Sequence, residues 1–271
     1  MKYHLNNIRY IYIRLIKMMQ KSILIVIPSI DSKMHTHATI SLLKMEKILN
    51  ENKINVSCLF PVGSLISRVR NEAVTYFLNY DFDYLLFIDS DLSGFENAIL
   101  KLIQADKDII GCTYPKKAIK KKFINYDITH SVKNHNCRDC VDFNINLFKS
   151  INETIKDLID FGGIIEVKNL PTGCMLIKKE VFEKILKLKG NNIFYYDYTS
   201  QTRNYDFFQV GIRDGRYMSE DYGFNELCKD CDIKSYCNFN FNLSHYGELA
   251  YKGNFYEHLN KYININNSKG Q

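Results

Sequence analysis

Residues 22–115 alternate between short apolar runs and segments of helical periodicity. After Ser22 and Asp108 at their starts, the runs at 22–27 and 108–112 are continuously apolar, as is 84–88, and 54–60 alternates like a further strand. Apolar side chains recur at three- and four-residue spacing in the segments between them, at 37–50, 64–79 and 96–105. Continuous apolar runs are typical of strands buried on both faces, and the periodic segments are typical of amphipathic helices. The alternation predicts an α/β fold that binds ligands at the carboxyl ends of its strands.

The second half of the chain is less regular. Residues 116–153 are polar and predict a long loop or insertion. Strands are predicted at 162–167 and 171–177, helices at 179–188 and 219–231, and a loop with short strands at 191–215. No internal repeat is visible, and 271 residues suffice for one large domain or two small ones.

Two carboxylates, Asp89 and Asp91, directly follow the apolar run 84–88. An Asp-x-Asp spacing in extended backbone points both side chains to the same side. Hard divalent cations prefer oxygen ligands and often keep phosphate oxygens in their shell. Such an ion would act as a Lewis acid on a departing diphosphate. The alternative from these residues alone is a helix N-cap by Ser90 or Asp91.

Two arginines lie on the helical segment that precedes this strand. The guanidinium of Arg70 would reach a nucleotide or hold the aspartates by bidentate hydrogen bonds. Arg68 fits a solvated helix face better than Arg70 does. Arg70 is therefore the candidate site residue of the two.

Two acidic residues and a histidine further along the chain are also candidates for the functional site. Glu220 and Asp221 open a predicted helix, where a carboxylate serves either as an N-terminal cap or as a general base for an acceptor hydroxyl. His245 lies between an apolar approach and a glycine turn. Its imidazole would either complete a metal shell or make a structural hydrogen bond.

Charge and composition narrow the class of protein. The formal net charge is +6, and much of it lies in the lysine-rich run 116–122, which is typical of a solvated surface. Residues 1–21 have neither a long apolar core nor a cleavage site, so they predict an N-terminal extension and no signal peptide. No apolar stretch reaches the roughly 18 residues of a membrane span. We therefore expect a cytoplasmic protein without stable membrane insertion.

Taken in order, these motifs resemble those of GT-A-fold glycosyltransferases, of the single-domain kind found in large DNA viruses and phages. The resemblance covers residues 22–257 and rests on the segments 70–71, 85–91, 111–117, 171–177, 219–224 and 243–247. It implies a Rossmann-type mixed sheet flanked by helices, in a single domain over 22–271. Residues 22–115 would form a nucleotide-binding half and 116–271 an acceptor-binding half.

The resemblance also implies an activity. A hexosyltransferase of this kind moves a sugar from a nucleotide diphosphate, with UDP expected as the nucleotide, to a hydroxyl of a glycan or protein. Asp89 and Asp91, with Ser90 between them, would hold Mn²⁺ or Mg²⁺ and the diphosphate, and His245 would complete the metal shell. No nucleic-acid partner is expected, a homo-oligomer is left open, and a viral protein of this kind would lie in the host cytoplasm.

Further roles come from the same resemblance. Pro28 and Ser29 match the strand end that holds the nucleoside. Arg70, with the adjacent Asn71, matches the basic position that approaches the donor. Gly173 matches a small residue that leaves room for donor sugar and acceptor.

The acidic pair has a role that depends on the stereochemistry. Glu220 and Asp221 match carboxylates near the acceptor, and Asp221 is the preferred base if the anomeric centre inverts. If the configuration is retained, either carboxylate would orient donor or acceptor, and the sequence leaves both outcomes open.

Two other functions are compatible with parts of the sequence. A sugar-phosphate nucleotidyltransferase shares the sheet and metal carboxylates, but it usually carries a glycine-rich loop, and none follows Ile27. A zinc-stabilised basic nucleic-acid-binding module would use the lysine-rich run and two C-x-x-C pairs, Cys137/Cys140 and Cys228/Cys231.

Overall fold

The computed structural model of the protein describes residues 21–119, 141–198, 201–256 and 258–259. The strands are β1 (Ser22–Val26), β2 (Asn55–Leu59), β3 (Tyr84–Ile88), β4 (Leu92–Ser93), β5 (Ile109–Gly111), β6 (Pro115–Ile119), β7 (Val141–Phe143), β8 (Ile164–Val167), β9 (Cys174–Lys178), β10 (Phe194–Tyr196), β11 (Arg203–Tyr205), β12 (Gly211–Arg213), β13 (Arg216–Met218), β14 (Ser235–Asn238), β15 (Ser244–Tyr246) and β16 (Ala250–Tyr251). The helices are α1 (Thr36–Glu51), α2 (Ile66–Asn79), α3 (Ile99–Gln104), α4 (Ile151–Asp160), α5 (Lys179–Ile193) and α6 (Glu220–Lys229).

The central sheet has seven strands in the order β2-β1-β3-β9-β5-β14-β8. β1 runs parallel to β2 and β3, and β5 runs parallel to β14, whereas β9 and β8 are antiparallel to their neighbours. The α/β fold with a mixed sheet, flanked by helices in a single domain, is therefore confirmed.

Apolar side chains cover both faces of this sheet. Along β1, Leu24 and Val26 pack into a core shared with α2, α5 and α6. Ile23 and Ile25 point to the opposite face, where they pack with side chains of α1 and α3. Burial on both faces explains why β1 has a continuously apolar sequence.

The prediction of a long loop over 116–153 is wrong for the described part of that segment. β6 pairs antiparallel with β7, and α4 begins with a capping box between Ser150 and Glu153. Val141 and Phe143 of β7 are buried, so apolar packing stabilises the β7 side of the pair. β6 has a lysine-rich sequence without apolar alternation, which is the signal that predicts a strand.

Other sequence predictions concern residues outside the described ranges. These are the N-terminal extension up to residue 20, the lysines at 120–122, and the pair Cys137/Cys140. Within the described ranges, no helix combines the length and the apolarity that crossing a bilayer requires.

A small three-stranded sheet brings the C-terminal region to the end of β3. Its order is β16-β15-β4, and β15 pairs antiparallel with β4 so that His245 lies opposite Leu92. Since Leu92 directly follows Asp91, this register places His245 beside the Asp-x-Asp segment.

Gly223 lies in α6 where the helix approaches the backbone before β12. A methyl group here would overlap the carbonyl oxygen of Gln209 and lie 2.8 Å from its carbonyl carbon. Because backbone atoms cannot rotate aside as a side chain can, we expect G223A to lower the free energy of unfolding by about 2 kcal/mol. Urea denaturation measures this loss.

Gly190 in α5 provides the matched control for that variant. A methyl group there makes ordinary contacts, the nearest 3.6 Å from a Leu186 carbon. Since alanine is favoured over glycine inside a helix by about 0.5–1 kcal/mol, G190A should keep or raise stability. Equal losses in the two variants would contradict the close approach at Gly223.

Candidate active site

The segment from Asp89 to Asp91 leaves the end of β3 and is fixed by backbone hydrogen bonds from two distant parts of the chain. The N–H of His35 donates to the carbonyl of Ser90 at 2.9 Å, and the N–H of Tyr246 donates to the carbonyl of Asp91 at 2.9 Å. The side chains of Asp89 and Asp91 remain 29% and 32% exposed. The backbone is thus held while both carboxylates stay accessible to a ligand.

Both oxygens of the Asp91 carboxylate have a protein partner. Oδ1 lies 3.2 Å from Nε2 of His245, and Oδ2 accepts a hydrogen bond from Nζ of Lys117. Burial disfavours the ionised form of Asp91, but the contacts with His245 and Lys117 outweigh it, and the pKa of Asp91 is lowered. Asp91 is therefore a carboxylate held in its charged form.

The ring of His245 is oriented by its other nitrogen. Nδ1 lies 2.9 Å from the carbonyl oxygen of Pro115. A carbonyl oxygen only accepts hydrogen bonds, so Nδ1 is the donor in this contact. Histidines that bind metals are commonly held in this way, with the second ring nitrogen donating to a backbone carbonyl. The arrangement directs Nε2 at Asp91.

The spacing of these two groups fits a divalent cation. Ligand atoms about 2.1 Å from an octahedral ion lie roughly 3 Å apart, close to the 3.2 Å between His245 Nε2 and Asp91 Oδ1. Across the described residues, however, no three His, Cys, Asp or Glu side chains converge into a ready ligand set. A cation held by all three predicted ligands would require Asp89 to turn toward the other two.

Arg70 is the basic residue in a second group of site side chains, next to Asp89. Its side chain is 2% exposed, and Nη2 donates to Oδ1 of Asp89 at 2.9 Å. Nε lies 3.7 Å from a carboxylate oxygen of Glu220, and the guanidinium lies 5.0 Å from the centre of the Phe87 ring. Within the described residues, Nε and Nη1 have no hydrogen-bond partner. A buried guanidinium with unused donors is suited to bind an anion.

The two acidic residues at the start of α6, Glu220 and Asp221, lie in different environments. Burial raises the pKa of Glu220, Arg70 opposes the shift, and the neighbouring Asp221 adds to it. Asp221 is bound locally, because its Oδ1 accepts hydrogen bonds from the Ser219 hydroxyl and from the N–H of Tyr222, the latter at 2.8 Å. Glu220 is thus the carboxylate that shares the Arg70 and Asp89 environment.

Gly173 lies against the Asp89 carboxylate and the phenol of Tyr114. Its N–H donates to the Tyr114 hydroxyl at 3.2 Å. A methyl group at Gly173 would overlap that hydroxyl and lie 2.5 Å from Oδ2 of Asp89. Burial, reinforced by the charge of Asp89, raises the pKa of Tyr114 well above its usual range, so the phenol stays protonated. The absence of a side chain at Gly173 is therefore required for the packing around Asp89.

Three predicted site residues remain to be placed: Pro28, Ser29 and Asn71. Pro28 and Ser29 follow β1, next to β3, and the Ser29 N–H donates to the carbonyl of Pro61 at 3.0 Å. Asn71 is buried, with its amide donating to Asp206 at 2.8 Å and accepting from the N–H of Phe208 at 2.9 Å. These contacts give the Asn71 side chain a structural role, because they connect it to the segment that contains Asp206 and Phe208.

The structure groups the candidate residues into an Arg70 cluster and an Asp91 cluster. The Arg70 cluster is Arg70, Asp89 and Glu220, and the Asp91 cluster is Asp91, His245 and Lys117. Sequence reasoning assigned no individual role to Lys117 or Tyr114. Both lie in the segment 111–117, which follows a strand end at the ligand-binding edge and belongs to the segments that carry the resemblance. Neither signal distinguishes these two residues from their neighbours.

Comparisons with known proteins find only distant similarity. No protein-family model matches the chain, and no characterised protein sequence matches it. Among solved structures, the crystal structure of A197 from STIV is 17% identical with a TM-score of 0.42, covering 83% of this chain and 86% of that one. The 4-diphosphocytidyl-2C-methyl-D-erythritol synthase from Anaerococcus prevotii is 15% identical with a TM-score of 0.31, covering 67% and 81%. At these scores the likeness is too distant to bear on function.

Proposed function

We propose that the protein is a metal-dependent glycosyltransferase that moves a sugar from a nucleotide diphosphate to a hydroxyl acceptor. The observation that carries the proposal is the pairing of His245 Nε2 with Asp91 Oδ1 at 3.2 Å, beside a buried Arg70 with unused donors. The first group suits a divalent cation, and the second suits an anion such as a phosphate oxygen. A site that accommodates both is suited to a metal-bound diphosphate.

Asp91, His245 and Asp89 would hold Mn²⁺ or Mg²⁺. When bound, the cation would act as a Lewis acid that neutralises the departing diphosphate. Asp91 contributes a carboxylate that is already ionised, and the Pro115 carbonyl keeps the His245 ring in place. Two of the three protein ligands are therefore oriented in advance, whereas Asp89 would have to turn from its contact with Arg70.

Arg70 would bind the anionic side of the donor. Its Nε and Nη1 groups have no hydrogen-bond partner among the described residues, and the Asp89 contact uses Nη2. Both atoms are buried, so phosphate or sugar oxygens would reach them only after neighbouring side chains move apart. Pro28 and Ser29 would lie along the nucleoside, for which UDP remains the favoured choice. The Tyr114 hydroxyl and the Asp89 carboxylate fill the space beside Gly173, so the donor sugar and an acceptor hydroxyl of a glycan or protein would lie beyond these two side chains.

Glu220 is the better candidate for the base in this site, in place of Asp221. It is buried, its pKa is raised, and it lies within 3.7 Å of Arg70. Groups with such perturbed pKa values are enriched among catalytic acids and bases. The local hydrogen bonds of Asp221 suit a helix cap. If the reaction retains configuration, Glu220 would orient the substrates.

The pH dependence of donor turnover tests the role of Glu220. Because its pKa is raised, the base form appears only as the pH rises through a value above that of an ordinary glutamate, so kcat/KM should rise across that range. E220Q should remove this rise of kcat/KM with pH, here called the acidic limb of the profile, and lower the rate by about 10²-fold or more. In D221N the limb should persist. A limb that persists in E220Q and disappears in D221N would assign the base to Asp221.

A screen of nucleotide sugars tests the function itself. Donor hydrolysis, in which water replaces the acceptor, is followed by release of the nucleoside diphosphate with Mn²⁺, with Mg²⁺ and with EDTA. We expect one class of donor to be turned over with the metal and not with EDTA. Tightly held zinc together with no metal-dependent binding of any nucleotide sugar would overturn the proposal.

A further inference from the structure

Lys117 is the one member of the Asp91 cluster that the proposed function leaves without a task. It lies on β6, and its Nζ donates to Oδ2 of Asp91. The stem of Lys117 runs past Gly247, where an added methyl group would lie 3.4 Å from the lysine Cδ. A methyl group at residue 247 would therefore make an ordinary van der Waals contact with the stem of Lys117.

The neighbouring lysine, Lys116, provides a comparison for this contact. The register between β6 and β7 is irregular from Pro115 to Ile119, so the alternation of a regular strand does not decide which way these lysines point. Both lysines are exposed, the Lys117 side chain to 37%, but Lys117 is the one that contacts Asp91. Only one of two adjacent, chemically identical side chains is thus directed at the site.

The ammonium of Lys117 and a divalent cation would compete for the same carboxylate. Asp91 Oδ1 faces His245, and Oδ2 is taken by Lys117, so the carboxylate charge is already balanced by a resident cation. A dication bound at Asp91 would be repelled by an ammonium that stays on Oδ2. Metal binding therefore favours departure of the lysine from the carboxylate.

We propose that Lys117 is an exchangeable counter-cation: it neutralises Asp91 in the empty site, yields to the divalent cation, and then pairs with the donor diphosphate. The inference rests on the proposed function, since the metal and the diphosphate are those of that site. It adds a positioning residue that couples the two ligands. Metal alone must displace the lysine without compensation, whereas metal with a nucleoside diphosphate gives the ammonium a new anionic partner.

Binding measurements on the full chain test the exchange, with K117M, K117R and K116M as variants. Mn²⁺ binding is measured by electron paramagnetic resonance, first with the metal alone and then with UDP present. K117M should bind Mn²⁺ alone about tenfold more tightly than the wild type, the size of effect expected when a neighbouring charge is removed. The same variant should bind UDP with Mn²⁺ about tenfold more weakly.

The two other variants serve as controls. K116M should match the wild type in both measurements, because Lys116 is exposed and the Asp91 carboxylate is paired with Lys117 and His245. K117R keeps the positive charge and should retain the weaker affinity for Mn²⁺ alone. If Mn²⁺ affinity in K117M equals that of K116M, or if UDP binding is not weakened, the exchange is overturned.

The outcome is separable from that of the proposed function. The measurement with Mn²⁺ alone requires no nucleotide sugar and no turnover. If K117M behaves as expected while no nucleotide sugar is turned over, the exchange stands and the glycosyltransferase proposal fails. If the wild type turns over a donor with Mn²⁺ and K117M is unchanged in both affinities, only the exchange fails. If neither wild type nor K117M binds Mn²⁺, both fail.

Discussion

Replacing Arg70 with methionine should lower the free energy of unfolding by about 3 kcal/mol and abolish measurable donor turnover. Arg70 is 2% exposed and lies between the carboxylates of Asp89 and Glu220. Methionine would leave both carboxylates without their cation in a partly buried site. Removing one partner of a buried ion pair typically costs about 3–5 kcal/mol, and the 29% exposure of Asp89 favours the lower end. Urea denaturation and donor hydrolysis measure the two effects.

Arg68 provides the matched control on the same helix. It is exposed, so R68M should change stability by no more than about 0.5 kcal/mol and leave turnover unchanged. R70K keeps the positive charge and separates folding from binding. It should lose less stability than R70M and still turn over the donor poorly, because an ammonium lacks the planar set of donors of a guanidinium. Equal behaviour of R68M and R70M would contradict the role assigned to Arg70.

The distinction between these two arginines could be predicted from the sequence. Ile66, Ala73 and Phe77 define the apolar face of the helix, and Arg70 lies four residues after the first and three before the second. Residues at this spacing share a face, so helical periodicity alone places Arg70 inward and Arg68 outward. The burial of the two side chains agrees with this expectation.

The position of Asp89 and Asp91 at the end of a buried strand could also be predicted from the sequence. A strand buried on both faces produces a continuous apolar run, and the first carboxylate after it lies at the end of that strand. β3 is buried along its whole length, and Asp89 follows it directly. This part of the site depends on local sequence and on a general property of α/β sheets, so it requires no knowledge of distant contacts.

The contacts of Lys117, Asn71 and Tyr114 could not be predicted in the same way. Each depends on a segment far away in the sequence: Asp91 for Lys117, Asp206 for Asn71, and Gly173 for Tyr114. Local periodicity carries no information about which distant residue meets a polar side chain. A run of lysines also gives no indication of which one points inward when the strand that contains them has not been recognised.

The cysteine pair at the end of α6 shows a further limit of prediction from the sequence. Cys228 and Cys231 are buried and pack in the apolar core. Burial raises the pKa of the Cys228 thiol well above its usual range, which disfavours the thiolate that zinc requires. The sequence spacing that suggested zinc is equally compatible with two positions that face the core at the end of a helix. The other pair, Cys137/Cys140, lies outside the described residues.

D91N should lower metal-dependent donor hydrolysis by roughly a hundredfold or more. Asparagine preserves the shape of the side chain but removes the charge that a divalent cation needs. Changes in groups that only support metal ligands already cost about 10- to 100-fold, so loss of a ligand should cost at least as much. D108N is the control, because Asp108 precedes β5 at the opposite edge of the sheet and its side chain is 65% exposed.

D89N should separate the two clusters of the site. Asp89 is bound to Arg70, whereas Asp91 is bound to His245, so the two carboxylates begin with different partners. We expect D89N to keep part of the affinity for Mn²⁺ alone and to lose turnover, and D91N to lose both. Metal-dependent turnover that survives D91N at the level of D108N would contradict the metal assignment. Loss of Mn²⁺ affinity in D89N equal to that in D91N would instead show that the two clusters join around one ion.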